Sequence, residues 1–152
     1  MPPFSDQLPV LLPRILAWAN AQAAHISRRG VPLNAASLTL ASRVGVVHPV
    51  RIRILVVPAV PAPVDPELQQ IALEQNLIGP NATGLTLGYG IFIAEGCLTP
   101  RLLAHECRHV YQYEFAGSIE AFLPLYLKQI AEFTYDRAPY ELDARAWEWV
   151  GL

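Results

Sequence analysis

Cysteine, charge and long apolar runs are all scarce in this 152-residue chain. Two cysteines cannot make a disulfide-held scaffold, and reduced thiols in a cytoplasmic protein are the expectation. Charged residues are 16% of the sequence against 53% apolar, a balance that excludes disorder for most of it. The 11 basic and 13 acidic residues leave a net charge of −2. The average composition therefore gives no bulk electrostatic reason to seek nucleic acid or an anionic membrane. The most apolar stretch, Leu8 to Ile26, is broken by Pro9, Pro13, Arg14 and Asn20 and is no clean membrane span. The opening residues lack the basic segment of a secretory signal and carry Asp6 instead; only the small-x-small triplet Ala21-Gln22-Ala23 speaks for export. Internal repeats and low-complexity tracts are absent, and the length suits one domain with one sizeable core.

Apolar spacing of three and four predicts a helix over 8–29, stopped by Gly30 and Pro32. A short helix capped by Asn34 or Ser37 is expected to run through Arg43, with Gly45 ending it. Val50 to Val57 is β-branched and alternating, the clearest strand. Asp65 and Pro66 open another short helix, through Gln75. Leu85 to Ile93 reads as one strand, in which Gly88 and Gly90 mark a bulge or the close approach of another backbone. No third glycine follows, so a nucleotide fingerprint is rejected. Three helices complete the chain: Thr99 to Gly117, Ser118 to about Tyr135 with Pro124 kinking or delaying it, and Pro139 to Trp149.

The first of these three contains His105-Glu106-Cys107-Arg108-His109, an H-E-x-x-H. Residues i and i+4 lie one turn apart on one helical face, so both imidazoles can reach one ion. Glu106, beside the first histidine, can then act as general base on water without being a ligand. The pattern arises by chance in about one chain in a few hundred of this length. Its bland reading is two core histidines and a solvated glutamate.

A catalytic zinc takes three protein ligands and an open position. His25 and His48 lie far upstream without a motif around them, and no histidine follows His109. That leaves a carboxylate at the start of the last helix. Glu141 and Asp143 are both candidates; they sit about 200° apart around a helix, so only one can face the ion.

H-E-x-x-H followed some tens of residues later by E-x-x-A on a second helix resembles the gluzincin metallopeptidases. The resemblance covers roughly the last 70 residues and extends to small single-domain proteins with an H-E-x-x-H-V-x-Q core and a P-[YF]-E-x-[ED]-A segment. It implies His105, His109 and Glu141 as zinc ligands, Glu106 as general base, and a peptide or protein substrate. Many gluzincins carry Asp after the Ala of the second motif; Arg145 stands there in this chain. The implied fold is α+β: a small mixed or antiparallel sheet with a zincin-like helical half carrying H-E-x-x-H. Residues 1–84 would supply N-terminal helices and a strand; residues 85–152 would supply the edge strand, the zinc helix and the C-terminal helices. In that family an extended substrate pairs with the edge strand, which makes Gly88, Tyr89 and Gly90 the expected substrate contacts. The alternative for those glycines is an ordinary core strand with a bulge.

Several residues stay open on sequence grounds. Cys107 points away from the ion and reads as a small buried hydrophobe. Gln112 either hydrogen-bonds near the site or faces solvent. Tyr113, Tyr135, Tyr140 and Arg137 are candidate oxyanion donors. Tyr126 belongs to an aromatic cluster expected to hold two helices together, and Trp147 and Trp149 read as packing residues. The second functional reading is a catalytically silent zincin-like module, with a structural metal site closed by Asp136, Asp143 or Cys97, or with a protein-binding role.

Overall fold

The computed structural model describes residues 2–150. Its sheet has the order β1-β2-β4-β3, formed by β1 (Val31–Pro32), β2 (Arg53–Val57), β3 (Gly84–Leu87) and β4 (Gly90–Ala94). β2 and β4 are parallel, and the two outer pairs are antiparallel. Six helices surround it: α1 (Phe4–Arg29), α2 (Ala35–Arg43), α3 (Pro66–Glu74), α4 (Pro100–Ala116), α5 (Ile119–Phe133) and α6 (Pro139–Ala146). The fold is α+β with a mixed sheet, as the sequence implied. Among the described residues, no helix is long and apolar enough to cross a membrane.

α1 starts four residues earlier than the periodicity suggested. Phe4, Leu8 and Leu11 form one buried stripe with Leu68 and Ile71 of α3 and Leu127 and Ile130 of α5. That burial carries the helix through Pro9 and Pro13, each of which removes one backbone donor. Asn34 Oδ1 accepts from Ser37 N–H and starts α2; Asp65 Oδ1 accepts from Glu67 and Leu68 and starts α3.

Two strand expectations need correction. Val50 lies in a 3-10 turn, Pro49–Arg51, and β2 begins only at Arg53. Pro49 opens the turn, and Arg51 and Ile52 N–H bond back to His48 and Pro49 carbonyls, so their donors are spent locally instead of in the ladder. The stretch Leu85 to Ile93 is a hairpin, not a single strand. Leu87 pairs with Gly90 across a two-residue turn. Gly88 has φ +66° and Tyr89 has negative φ, the pattern of a II′ turn. Gly90 is needed for another reason: a Cβ there would lie 3.0 Å from Ile26 of α1. The close approach read from these glycines is thus that of a helix. β4 is buried along its whole length, and β3 is the sheet edge.

α4 packs against this hairpin, α2, α5 and α6. Thr99 Oγ1 accepts from Leu102 N–H, Pro100 occupies the first turn, and Gly117 ends the helix with φ +107°. α5 begins directly after its Ser118 cap and contains Pro124, so the proline does not delay its start. The last helix ends at Ala146, short of Trp149.

Candidate metal centre

α4 and α6 bring His105, His109 and Glu141 together. One ligand atom from each lies within 4.8 Å of the others. His105 Nε2 is 3.2 Å from His109 Nε2 and 3.1 Å from Glu141 Oε1; His109 Nε2 is 3.1 Å from Glu141 Oε2. Asp143 points elsewhere, as the angle around α6 requires. It accepts from Arg108 Nε at 2.8 Å and from Gln112 Nε2 at 2.9 Å.

The outer atoms of the rings fix their tautomers. His105 Nδ1 lies 2.8 Å from Glu148 Oε2, and an ionised carboxylate only accepts, so Nδ1 carries the proton. His109 Nδ1 lies 2.8 Å from Gln112 Oε1. Gln112 spends its NH2 on Tyr140 O and Asp143 Oδ2, so its oxygen faces the ring and accepts. Both Nε2 lone pairs therefore aim at the point that Glu141 also faces. With both rings neutral the three groups would offer only acceptors to one another, an arrangement that either a proton on an Nε2 or a bound cation relieves. Burial opposes charge on His109, but the Glu141 carboxylate outweighs it and lifts the imidazole to about 9. Burial likewise raises Glu141, while His109, His105 and the Tyr126 hydroxyl, which donates to Oε2 at 2.7 Å, hold its carboxyl far below the usual range. Two imidazoles and a carboxylate are the donor set that zinc takes in catalytic sites.

Glu106 is buried beside these ligands, and burial pushes its carboxyl up, partly offset by His109 and His105. Thr86 Oγ1 donates to the Glu106 backbone carbonyl at 3.2 Å and approaches Oε1 at 3.4 Å. Edge strand β3 thus lies directly against the carboxylate.

A cavity of about 820 Å³ opens here. Its walls include His105, Glu106, His109, Glu141, Tyr135 and Arg145, with Gly84–Leu87 along one side. Gly88, Tyr89 and Gly90 are not among its lining residues; they line a separate groove. The segment of the hairpin that borders the site is β3, not Gly88, Tyr89 and Gly90, the substrate contacts expected of the edge strand. Of the four candidate oxyanion donors, Tyr113 donates to Thr86 O at 3.2 Å, Tyr140 packs on Phe122, and Arg137 lies exposed in the 3-10 turn Tyr135–Arg137. Tyr135 remains at the cavity wall beside Glu141.

Sequence reading missed Glu148. It lies seven residues after Glu141, in the turn that follows α6, and in the helix expected to run to Trp149 that spacing was the available signal. Its other oxygen accepts from Arg101 Nε at 2.6 Å. Gln112 and Tyr126, left open or given to packing, both touch ligands. Cys107 is fully buried in the apolar core, and Cys97 forms no disulfide. Trp147 and Trp149 stack on Arg108 and Arg101. Neither His25 nor His48 joins the cluster. No protein-family profile matches the chain, and neither a curated protein nor a solved structure matches it.

Proposed function

We propose that this protein is a zinc-dependent hydrolase, a small metallopeptidase with His105, His109 and Glu141 as ligands and Glu106 as general base. The observation that carries the reading is the convergence of His105 Nε2, His109 Nε2 and the Glu141 carboxylate, with the outer ring nitrogens held by Glu148 and Gln112. A bound zinc ion supplies Lewis-acid polarisation of a carbonyl and lowers the pKa of water toward about 7. Glu106 takes the proton of the attacking water and returns it to the leaving amine. Its buried carboxyl, raised above the ordinary range, suits both halves of that exchange. β3, an edge strand with Gly84 and Thr86 against Glu106, offers backbone groups to an extended peptide. Tyr135 is the best placed donor for the developing oxyanion. Among the described residues, no fourth His, Cys, Asp or Glu joins the three donors, which favours an open catalytic position over a closed structural site. Two cysteines outside any disulfide suit a cytoplasmic setting.

The test is metal content followed by turnover. Protein purified without chelator is expected to hold about one zinc per chain by mass spectrometry, and His109→Ala to lose it. Glu106→Gln is expected to keep the metal and lose peptide hydrolysis. A Glu106→Gln variant as active as the wild type would falsify the mechanism; absence of zinc after metal is added back would end the enzyme reading.

A further inference from the structure

The net charge of −2 conceals a segregation. Between Asp6 and Asp65 there is no acidic residue, while Arg14, Arg28, Arg29, Arg43, Arg51 and Arg53 all fall in that interval. Arg14 is paired with Asp65 and Glu67. Among the described residues, none of the other five has a carboxylate within 4.0 Å, whereas Arg101 and Arg108 do.

Three of the five surround one surface. Arg43 ends α2, which packs against the turn Pro49–Arg51. Arg51 lies 4.4 Å over the Tyr89 ring, and Arg53 follows at the start of β2. His48, Arg51, Arg53 and Tyr89 line an open groove of about 790 Å³. Glu114 is the acid in that groove, and its oxygens already accept from Val47 N–H, His48 N–H and the Tyr89 hydroxyl.

Large apolar side chains stand out of the same surface. Val47 is 70% exposed, Val50 67% and Phe115 84%. Phe115 stacks on Tyr111, whose ring packs against Gly45, and Glu114 ties α4 to Val47 and His48. The loop 44–51 and the C-terminal end of α4 therefore form one continuous surface, an apolar tip among arginines without a carboxylate partner, of which Arg53 also donates through Nη1 to the Val50 and Ile52 carbonyls.

We propose that this surface docks the protein on an anionic lipid bilayer. Val47, Val50 and Phe115 enter the boundary between headgroups and acyl chains; Arg43, Arg51 and Arg53 meet lipid phosphates. Arginine suits that role because its planar fork binds phosphate oxygens in pairs. A nucleic acid would use the arginines but gain little from Val47 and Val50, which offer no stacking plane. The inference is independent of the metal site, because the tip lies about two turns beyond His109 on α4.

Co-sedimentation of the full chain with vesicles tests it. Binding is expected to vesicles of phosphatidylcholine containing one-third phosphatidylglycerol, and not to phosphatidylcholine alone. Each basic residue contributes about fivefold near an anionic surface, so Arg43→Gln with Arg51→Gln is expected to weaken binding roughly 30-fold. Val47→Ser with Phe115→Ser is expected to weaken it at least tenfold, and raising the salt acts on the wild type in the same direction as the charge variant. Circular dichroism confirms that each variant is folded. No binding to the anionic vesicles, equal binding to neutral ones, variants that bind like the wild type, or tighter binding to single-stranded RNA each overturns the proposal.

Discussion

Glu148 Oε2 lies 2.8 Å from His105 Nδ1, and Arg101 holds the other carboxylate oxygen at 2.6 Å. In the resembled family a carboxylate after the second motif's alanine is common, and Arg145 stands there instead. Arg145 here donates to Asp136 O. Glu148, three residues further, supplies the carboxylate that fixes the tautomer of His105. Partners of this kind are worth about 10–100-fold in metal affinity. Glu148→Gln is therefore expected to weaken zinc binding by about tenfold or more, read by competition with a chelator of known affinity. Unchanged zinc affinity in a folded Glu148→Gln protein would show the contact to be incidental.

Glu141 and Asp143 separate by experiment as they do in space. Glu141→Ala removes a converging donor, and loss of stoichiometric zinc is expected. Asp143→Asn leaves all three donors in place but weakens the link from Arg108 through Gln112 to His109. Zinc should be retained, with a loss of about 1–3 kcal/mol in unfolding free energy from a charged hydrogen bond. Chemical denaturation and metal analysis of the same samples distinguish the two. Zinc lost from Asp143→Asn and kept in Glu141→Ala would reverse the assignment.

How much of this was legible follows from the range of each interaction. His105, Glu106 and His109 share one helix, so their geometry is set by spacing within five residues. Glu141 came from a resemblance, because its approach to α4 depends on how α6 packs. Gln112 could not be assigned for the same reason: its partners, Tyr140 and Asp143, are about 30 positions away in sequence. The hairpin at Gly88 was misread because Leu85 to Ile93 is apolar on both sides of a two-residue turn. β4 is buried on both faces, so no alternation marked where one strand ended. The acid-free interval from Asp6 to Asp65 was visible in the sequence and was hidden only by averaging charge over the chain.

Tyr89 gives an alkaline signature. Burial, then the Glu114 carboxylate that accepts from its hydroxyl, pushes the phenol up to about 12. The folded state thus favours the neutral phenol. The contribution is complete below the ordinary tyrosine value near 10 and is lost as pH rises through about 12. Burial also raises Tyr113, Tyr126 and Tyr135, so ultraviolet titration is expected to show several late phenolate steps, of which Tyr89→Phe removes one, and the variant should lose less stability between about pH 10 and 12. An unchanged titration curve in Tyr89→Phe rules this out.

Gly84 offers the most direct probe of the general base. A Cβ at that position would lie 3.1 Å from Glu106 Cδ, 3.2 Å from Cγ and 3.3 Å from Oε1, so the carboxylate must shift by a few tenths of an ångström. The three atoms nearest to the added methyl all belong to Glu106 and none to a ligand side chain. Gly84→Ala is therefore expected to keep zinc while lowering kcat. A 1 Å displacement of a catalytic group costs about 100-fold, and this smaller shift should cost roughly tenfold. The comparison that decides is with Gly79→Ala, where the nearest atom is Leu73 Cδ2 at 3.5 Å and no catalytic group is met. If Gly84→Ala turns over as fast as Gly79→Ala, the position of the Glu106 carboxylate does not limit the reaction.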